Sequence, residues 1–206
     1  MREYYDVRAP EYDDWYLGVG RFGDLDRPEW HASVRLLEQT IAALDVADTL
    51  DVACGTGYLT RHLRGTITAL DQSERMLAIA RERVPGARCV RGDAFALPFA
   101  DASFDRIFTA HFYGHLQQDE QAVFLAEARR VAAELVVVDA AVRPDREPAE
   151  WQERVLNDGS RFPVYKRYFE ADQLAAELGG GRVVLESRWF VVVASPGDRQ
   201  VPDPIA

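Results

Sequence analysis

Asp51, Asp71 and Asp93 each stand at or near the end of a short apolar run, and the first is soon followed by Gly55-Thr56-Gly57. Glycines there let the chain bend tightly and bring bare backbone amides against a ligand, because no Cβ intervenes. A carboxylate at position 71 can accept from both hydroxyls of a ribose, and one at position 93 can meet an exocyclic amine. In open α/β sheets ligands bind outside the carboxyl ends of the strands, so the three acids would line one crevice. A dinucleotide fingerprint would place a third glycine at position 60, where this chain has Thr60, which weakens a nicotinamide reading. Further on, His111-Phe112-Tyr113-Gly114-His115 offers two imidazoles able to act as bases near neutral pH. Their spacing also fits a metal pair, but Gly114 disfavours a helix and no acidic third ligand stands nearby, so no metal is expected. Arg161, Lys166, Arg167 and Tyr168 form a basic cluster that could hold an acidic group, with a solvated basic face as the plainer reading. Trp151 and Phe162 could line the same pocket or simply pack.

Positioning these residues takes alternating strands and helices. Asp26-Arg-Pro-Glu29 reads as a capping box, followed by a helix with Trp30, Val34, Leu37, Ile41 and Leu44 on one side. Strands are expected at 49–54, 66–70, 88–91, 104–110 and 135–138, with Ser73 capping a helix through Met76, Leu77, Ala80 and Val84. A further helix is expected from about residue 120 to 133. Parallel returns need crossovers, so the pattern implies an α/β, doubly wound, mostly parallel sheet. Residues 140–169, with Pro144, Pro148 and Pro163, read as an irregular cap over the substrate side. A helix over 170–178 stops at Gly179-Gly-Gly181, and strands at 183–186 and 189–193 can close the sheet as an antiparallel hairpin. The tail after Ala194 is expected to fray.

The chain has 206 residues, 48% hydrophobic, enough for one core and one domain. A formal charge of -10 gives no electrostatic footprint for a phosphate backbone, so nucleic acid is not an expected partner. No run approaches membrane-spanning length, the N-terminus lacks a signal-peptide core, and Cys54 and Cys89 read as reduced thiols, so a cytoplasmic protein is expected.

Leu50–Gly57, Leu70–Leu77, Gly92-Asp93-Ala94 and Asp101–Asp105 together resemble the first motifs of the class I S-adenosylmethionine-dependent methyltransferases, in particular the small-molecule branch of ubiquinone and menaquinone biosynthesis. The resemblance covers roughly residues 48–139, and it implies that family's seven-stranded, Rossmann-like sheet. Two departures stand out: Ala53 replaces a common glycine, and a Pro-Gly-Gly turn is missing between Val131 and Leu135. By position, the resemblance assigns Asp51, Ala53, Gly55 and Gly57 to the methionine portion of the cofactor. Asp71 takes the ribose, Asp93 the adenine amine, and Gln72, Met76 and Ala94 the surroundings of the ring. The aromatic run within residues 1–28 resembles a lid, with Tyr5 and Tyr12 on the cofactor and Tyr16 toward the substrate; an aromatic strip that only packs is the alternative. His111 or His115 would be the base, and Tyr113, Arg161 and Lys166 would meet a small-molecule acceptor. The implied protein is a monomer or homodimer converting S-adenosylmethionine to S-adenosylhomocysteine. The competing readings are an NAD(P)-dependent oxidoreductase on a similar sheet and a non-catalytic module that binds S-adenosylmethionine and regulates a partner.

Overall fold

The structure is a computed structural model and describes residues 2–196. Seven strands form the main sheet: β1 (Ala47–Val52), β2 (Gly65–Asp71), β3 (Arg88–Arg91), β4 (Phe104–Ala110), β5 (Ala132–Ala140) and, after a separate ribbon of β6 (Ala149–Val155) and β7 (Arg161–Arg167), β8 (Arg182–Glu186) and β9 (Phe190–Pro196). Their order is β3-β2-β1-β4-β5-β9-β8, the first five parallel, β9 antiparallel to β5 and β8 antiparallel to β9. This is the doubly wound sheet and closing hairpin that the pattern implies. The hairpin enters so that β9 pairs with β5 and β8 takes the edge.

Strand β5 shows why the sheet is covered on both faces. Leu135 and Val137 join one core cluster and Val136 and Val138 the other, the continuous apolar run that a central parallel strand requires. Among the described residues six helices supply the cover and the approaches to the site: α1 (Arg2–Arg8), α2 (Asp14–Leu17), α3 (Trp30–Ala42), α4 (Glu74–Arg83), α5 (Gln118–Val131) and α6 (Ala171–Glu177). Helix α3 places Val34, Leu37 and Ile41 against Val136 and Val192, while Phe124 and Ala128 of α5 and Leu174 of α6 meet Leu50, Ile107 and Val137 on the opposite side. Each large side chain so buried contributes about 1.5–3 kcal/mol.

Several local details differ from expectation for clear reasons. Asp26 does not cap α3; Glu29, at φ 62, turns the chain directly into Trp30, and its side chain makes no cap bond. Helix α5 passes into β5 without an intervening residue, Val131 to Ala132, which accounts for the absent Pro-Gly-Gly turn. The cap is not irregular. Its β6 and β7 form an antiparallel ribbon with Pro163 opposite Glu153, a position tolerated because both strands of a two-stranded ribbon are edges. Ser195 and Pro196 complete β9, and the remainder of the expected frayed tail lies outside the described residues. Cys54 and Cys89 are free and half-buried. Among the described residues no helix is long and apolar enough to cross a membrane.

Ser73 caps α4 as the sequence predicts: its hydroxyl accepts from the Met76 amide at 3.1 Å and donates to Asp6 at 2.5 Å. Replacement by alanine removes a cap worth about 1 kcal/mol. Ser73→Ala is therefore expected to lower the unfolding midpoint modestly in a denaturant titration; an unmoved midpoint would show that the cap contributes nothing.

Candidate active site

The ends of β1, β2 and β4, with the turn after β3, meet at one crevice. Past β1 the backbone takes left-handed conformations at Ala53 (φ 59), Gly55 (φ 55) and Gly57 (φ 73). A Cβ at Gly55 would stand 3.5 Å from the Tyr12 ring, so Tyr12 closes directly over this bend. Gly57 does something else: a Cβ there would meet Val84 and Ala80 at 3.3 and 3.4 Å. It lets α4 pack closely and does not line the cleft. Met76 is likewise fully buried in the packing of α4, away from the crevice, because its helical position faces inward.

Asp71 organises the bend. Its Oδ2 accepts from the Gly55 amide at 2.9 Å and its Oδ1 from the Ser73 amide at 2.8 Å. The Gln72 amide also faces this carboxylate, which still has acceptor capacity left for a ligand hydroxyl. Across the cleft, Asp93 accepts from the Phe95 amide at 2.9 Å and borders the same space as Gln72 and Ala94. Tyr5 and Tyr12 of the N-terminal segment form the roof. Of the expected cofactor residues, Ala53, Gly55, Asp71, Gln72, Asp93, Ala94, Tyr5 and Tyr12 share this cleft.

Asp51 lies in an adjoining recess bounded by Tyr12, Ala53 and Tyr16. Its Oδ2 accepts from the Thr60 hydroxyl at 2.5 Å, while its Oδ1 is buried without a hydrogen-bond partner. Thr60, at the position where a dinucleotide fold wants glycine, thus has a defined task. Burial, opposed by the Thr60 hydroxyl and reinforced by Asp71, pushes the Asp51 carboxyl up to about 7. An orphaned buried oxygen of this kind fits a cationic amino group. A raised carboxyl favours folding at low pH, and that contribution is lost as pH rises through the folded value. The ligand-free protein is therefore expected to lose thermal stability between about pH 4 and 7, and Asp51→Asn to flatten that slope in melting curves; parallel slopes for the two proteins would rule the attribution out.

Tyr5, Tyr12 and His111 also wall a larger chamber of about 420 Å³ between the N-terminal segment and the ribbon. His111 touches both spaces. It holds φ 54, its Nδ1 is 3.9 Å from Asp139 Oδ1, and its Nε2 is buried with no partner. Left-handed strain at a non-glycine residue is commonest at functional sites. His115 Nδ1 lies 2.6 Å from the Tyr165 carbonyl, so that nitrogen carries the proton. Burial, with Lys166 nearby, pushes His115 down to about 3, and burial lowers His111 as well. Both shifts favour the neutral imidazole, the form a base needs.

The expected substrate residues scatter. Tyr113 is 1% exposed beneath Phe124 and Phe169, inside the core, because the 3-10 turn at 113–115 points it away from the chamber. Tyr16 stacks on Tyr58 at 4.1 Å beside the Asp51 recess. Arg161 is an exposed ribbon residue paired with Glu153, and Trp151 is also exposed. Phe162 packs on Tyr4, and Arg167 pairs with Glu177. Lys166 and Tyr168 do reach the chamber, Lys166 as the buried partner of Asp139. What the sequence reading misses are Arg8, Arg143 and Arg154 on the chamber wall. No spacing marks them, since they come from three separate elements.

The N-terminal segment is fastened over the cleft. Asp13 accepts from the Thr56 hydroxyl at 2.6 Å and pairs with Arg83, and Glu11 accepts from the Asn157 amide at 2.8 Å.

Residues 50–135 match the methyltransferase-domain family. The chain is 36% identical over 140 residues to the phthiotriol/phenolphthiotriol dimycocerosates methyltransferase of Mycobacterium tuberculosis, covering 62% of this chain and 50% of that protein. It is 38% identical over 98 residues to the demethylmenaquinone methyltransferase of Thermotoga maritima, covering 45% of this chain and 42% of that one. It spans about half the length of the first of these curated relatives, and they do not single out the quinone branch. The solved DhpI–SAH complex superimposes over 96% of this chain and 95% of its own with a TM-score of 0.73 and 29% identity.

Proposed function

We propose that this chain, as a class I S-adenosylmethionine-dependent methyltransferase, transfers a methyl group from S-adenosylmethionine to a small-molecule acceptor in the large chamber. The observation that carries this reading is the meeting of Asp51, Gly55, Asp71 and Asp93 beside a second space across His111. When bound, S-adenosylmethionine supplies an activated sulfonium methyl. The chain's residues need only bind and align: Asp51 Oδ1 would receive the amino group, the remaining acceptor capacity of Asp71 the ribose hydroxyls, and Asp93 the adenine amine, with Gln72 and Ala94 beside the ring. Tyr5 and Tyr12 exclude water as a lid made by residues 1–28. The ribbon within residues 140–169 caps the acceptor side. His111, on the shared wall with an unpartnered Nε2, is the residue placed to take a proton from an acceptor that must lose one.

Because burial holds His111 below its ordinary value, its base form persists into mild acid. The rate of methyl transfer is therefore expected to show no titration near pH 6.5, the ordinary imidazole value. A limb there, abolished by His111→Ala, would contradict this protonation state.

Calorimetric titration with S-adenosylhomocysteine and with NAD(H), followed by a labelled-methyl screen of metabolite extracts, tests the main reading. Binding of the nicotinamide nucleotide alone would overturn it. The chamber also gives an acceptor room that a purely regulatory module does not need. The charge of -10 favours a metabolite over a nucleic acid, and a cytoplasmic monomer or homodimer fits the free thiols.

A further inference from the structure

The chain is acidic overall, yet the chamber between the N-terminal segment and the ribbon is cationic. Arg8, Arg27, Arg143, Arg146, Arg154 and Lys166 line it, against Asp26, Asp145 and Glu153. Most of the acids are already engaged or peripheral. Glu153 pairs with Arg161 outside, and Asp145, 68% exposed at the rim, is shared between Arg143 and Arg146 at 3.4 and 3.8 Å. Asp139 neutralises Lys166 from behind.

The arginines are only partly matched from within the protein. Among the described residues Arg154 Nε is buried with no hydrogen-bond partner, Arg143 Nε is buried with no hydrogen bond and only the ion-pair contact to Asp145, and neither Arg8 nor Arg154 has a carboxylate ion pair. Arg8 rests on the Tyr12 ring at 4.8 Å, Arg27 on Trp30 at 4.0 Å and Arg143 on Trp189 at 4.5 Å. These aromatic faces steady the guanidinium planes without neutralising them. Burial, with Arg143 adding like charge, makes Arg27 easier to deprotonate, and burial, with Arg8 among its neighbours, does the same to Arg154. Buried polar groups without partners, facing a cavity, call for a ligand that supplies the missing acceptors.

Resting on the methyl-transfer reading above, we propose that the acceptor carries a compact oxyanion, carboxylate or phosphoryl, gripped by Arg143 and Arg154 with Arg8 as a third cation. Planar guanidinium forks match both oxyanions, and charge-assisted bonds of this kind are the strong ones. The neighbouring Trp15, Trp30 and Trp189 wall the apolar remainder of the acceptor.

Those tryptophans also report the test. The full chain, with and without saturating S-adenosylhomocysteine, is titrated with methylphosphonate and acetate and with their neutral counterparts, dimethyl methylphosphonate and acetamide. At least one anion is expected to bind about tenfold or more tightly than its neutral counterpart. Preference for methylphosphonate assigns a phosphoryl group, preference for acetate a carboxylate. Arg143→Met and Arg154→Met are each expected to weaken that anion about tenfold, while Arg154→Lys retains part of the affinity and S-adenosylhomocysteine binds all three variants as it binds the wild type. Equal binding of neutral and anionic probes, or wild-type anion affinity in both methionine variants, overturns the proposal. Failure of the wild type to bind S-adenosylhomocysteine strikes instead at the methyl-transfer reading, and the titrations without it still decide the anion site.

Discussion

Asp139→Ala is expected to destabilise the protein by about 3–5 kcal/mol, the cost of leaving a buried charge without its partner. Asp139 is fully buried at the end of β5, where its Oδ2 accepts from the Gly114 amide at 2.7 Å and its Oδ1 pairs with Lys166 of the ribbon. Burial alone would raise this carboxyl, but Lys166 and then His111 overcome it and hold it well below the usual carboxylate range. The alanine variant would strand the Lys166 ammonium in a cavity already rich in arginine. A depressed carboxyl contributes stability above its unfolded value and loses it as pH falls toward the folded one. The gap between variant and wild type should thus stay constant from about pH 8 to 5 and narrow only below about pH 4. Denaturant unfolding at several pH values measures it. Adding Lys166→Met to Asp139→Ala should recover much of the loss, since an apolar replacement removes the unpaired charge as well. A double variant no more stable than the single one would show that the ion pair is not what Asp139 supplies.

Asp71→Ala is expected to weaken S-adenosylhomocysteine binding by about 10²-fold. Two effects act together. The ribose hydroxyls lose their acceptors, and the amides of Gly55 and Ser73, which Asp71 now satisfies, are left without partners at the bend that shapes the cleft. Each stranded buried amide costs about 1–3 kcal/mol, so stability falls as well. Asp71→Asn, which can accept one of the two amide bonds, should bind with intermediate affinity. Isothermal titration separates these cases, and affinity within about threefold of wild type in the alanine variant would remove Asp71 from the site.

The sheet was legible because its signals are local. Strands β3 and β4 begin and end where their apolar runs do, and Ser73 caps α4 because serine at a strand-to-helix junction has few other uses. The cleft was legible for the same reason: Asp51, Asp71 and Asp93 each sit where a strand runs out. The chamber was not. Arg8 comes from α1, Arg143 from the chain after β5, and Arg154 from β6, and arginine is too common on surfaces for any one of them to be conspicuous. Tyr113 misled because an aromatic beside two histidines looks the same whether it faces a ligand or the core. Pro163 hid a strand, since a two-stranded ribbon forgives the missing donor that a central strand would not.

The fastening of the N-terminal segment has a consequence for timing. Under the reading proposed above, a nucleoside lying beneath Tyr12 is trapped for as long as Asp13 stays bound to Arg83 and Thr56. Donor entry and spent-donor exit must then await the same unlatching event, whereas the acceptor's route lies between that segment and the ribbon. The pace of repeated turnovers would be set at a half-buried ionic clasp, and the bond-making step could be fast without the enzyme being so.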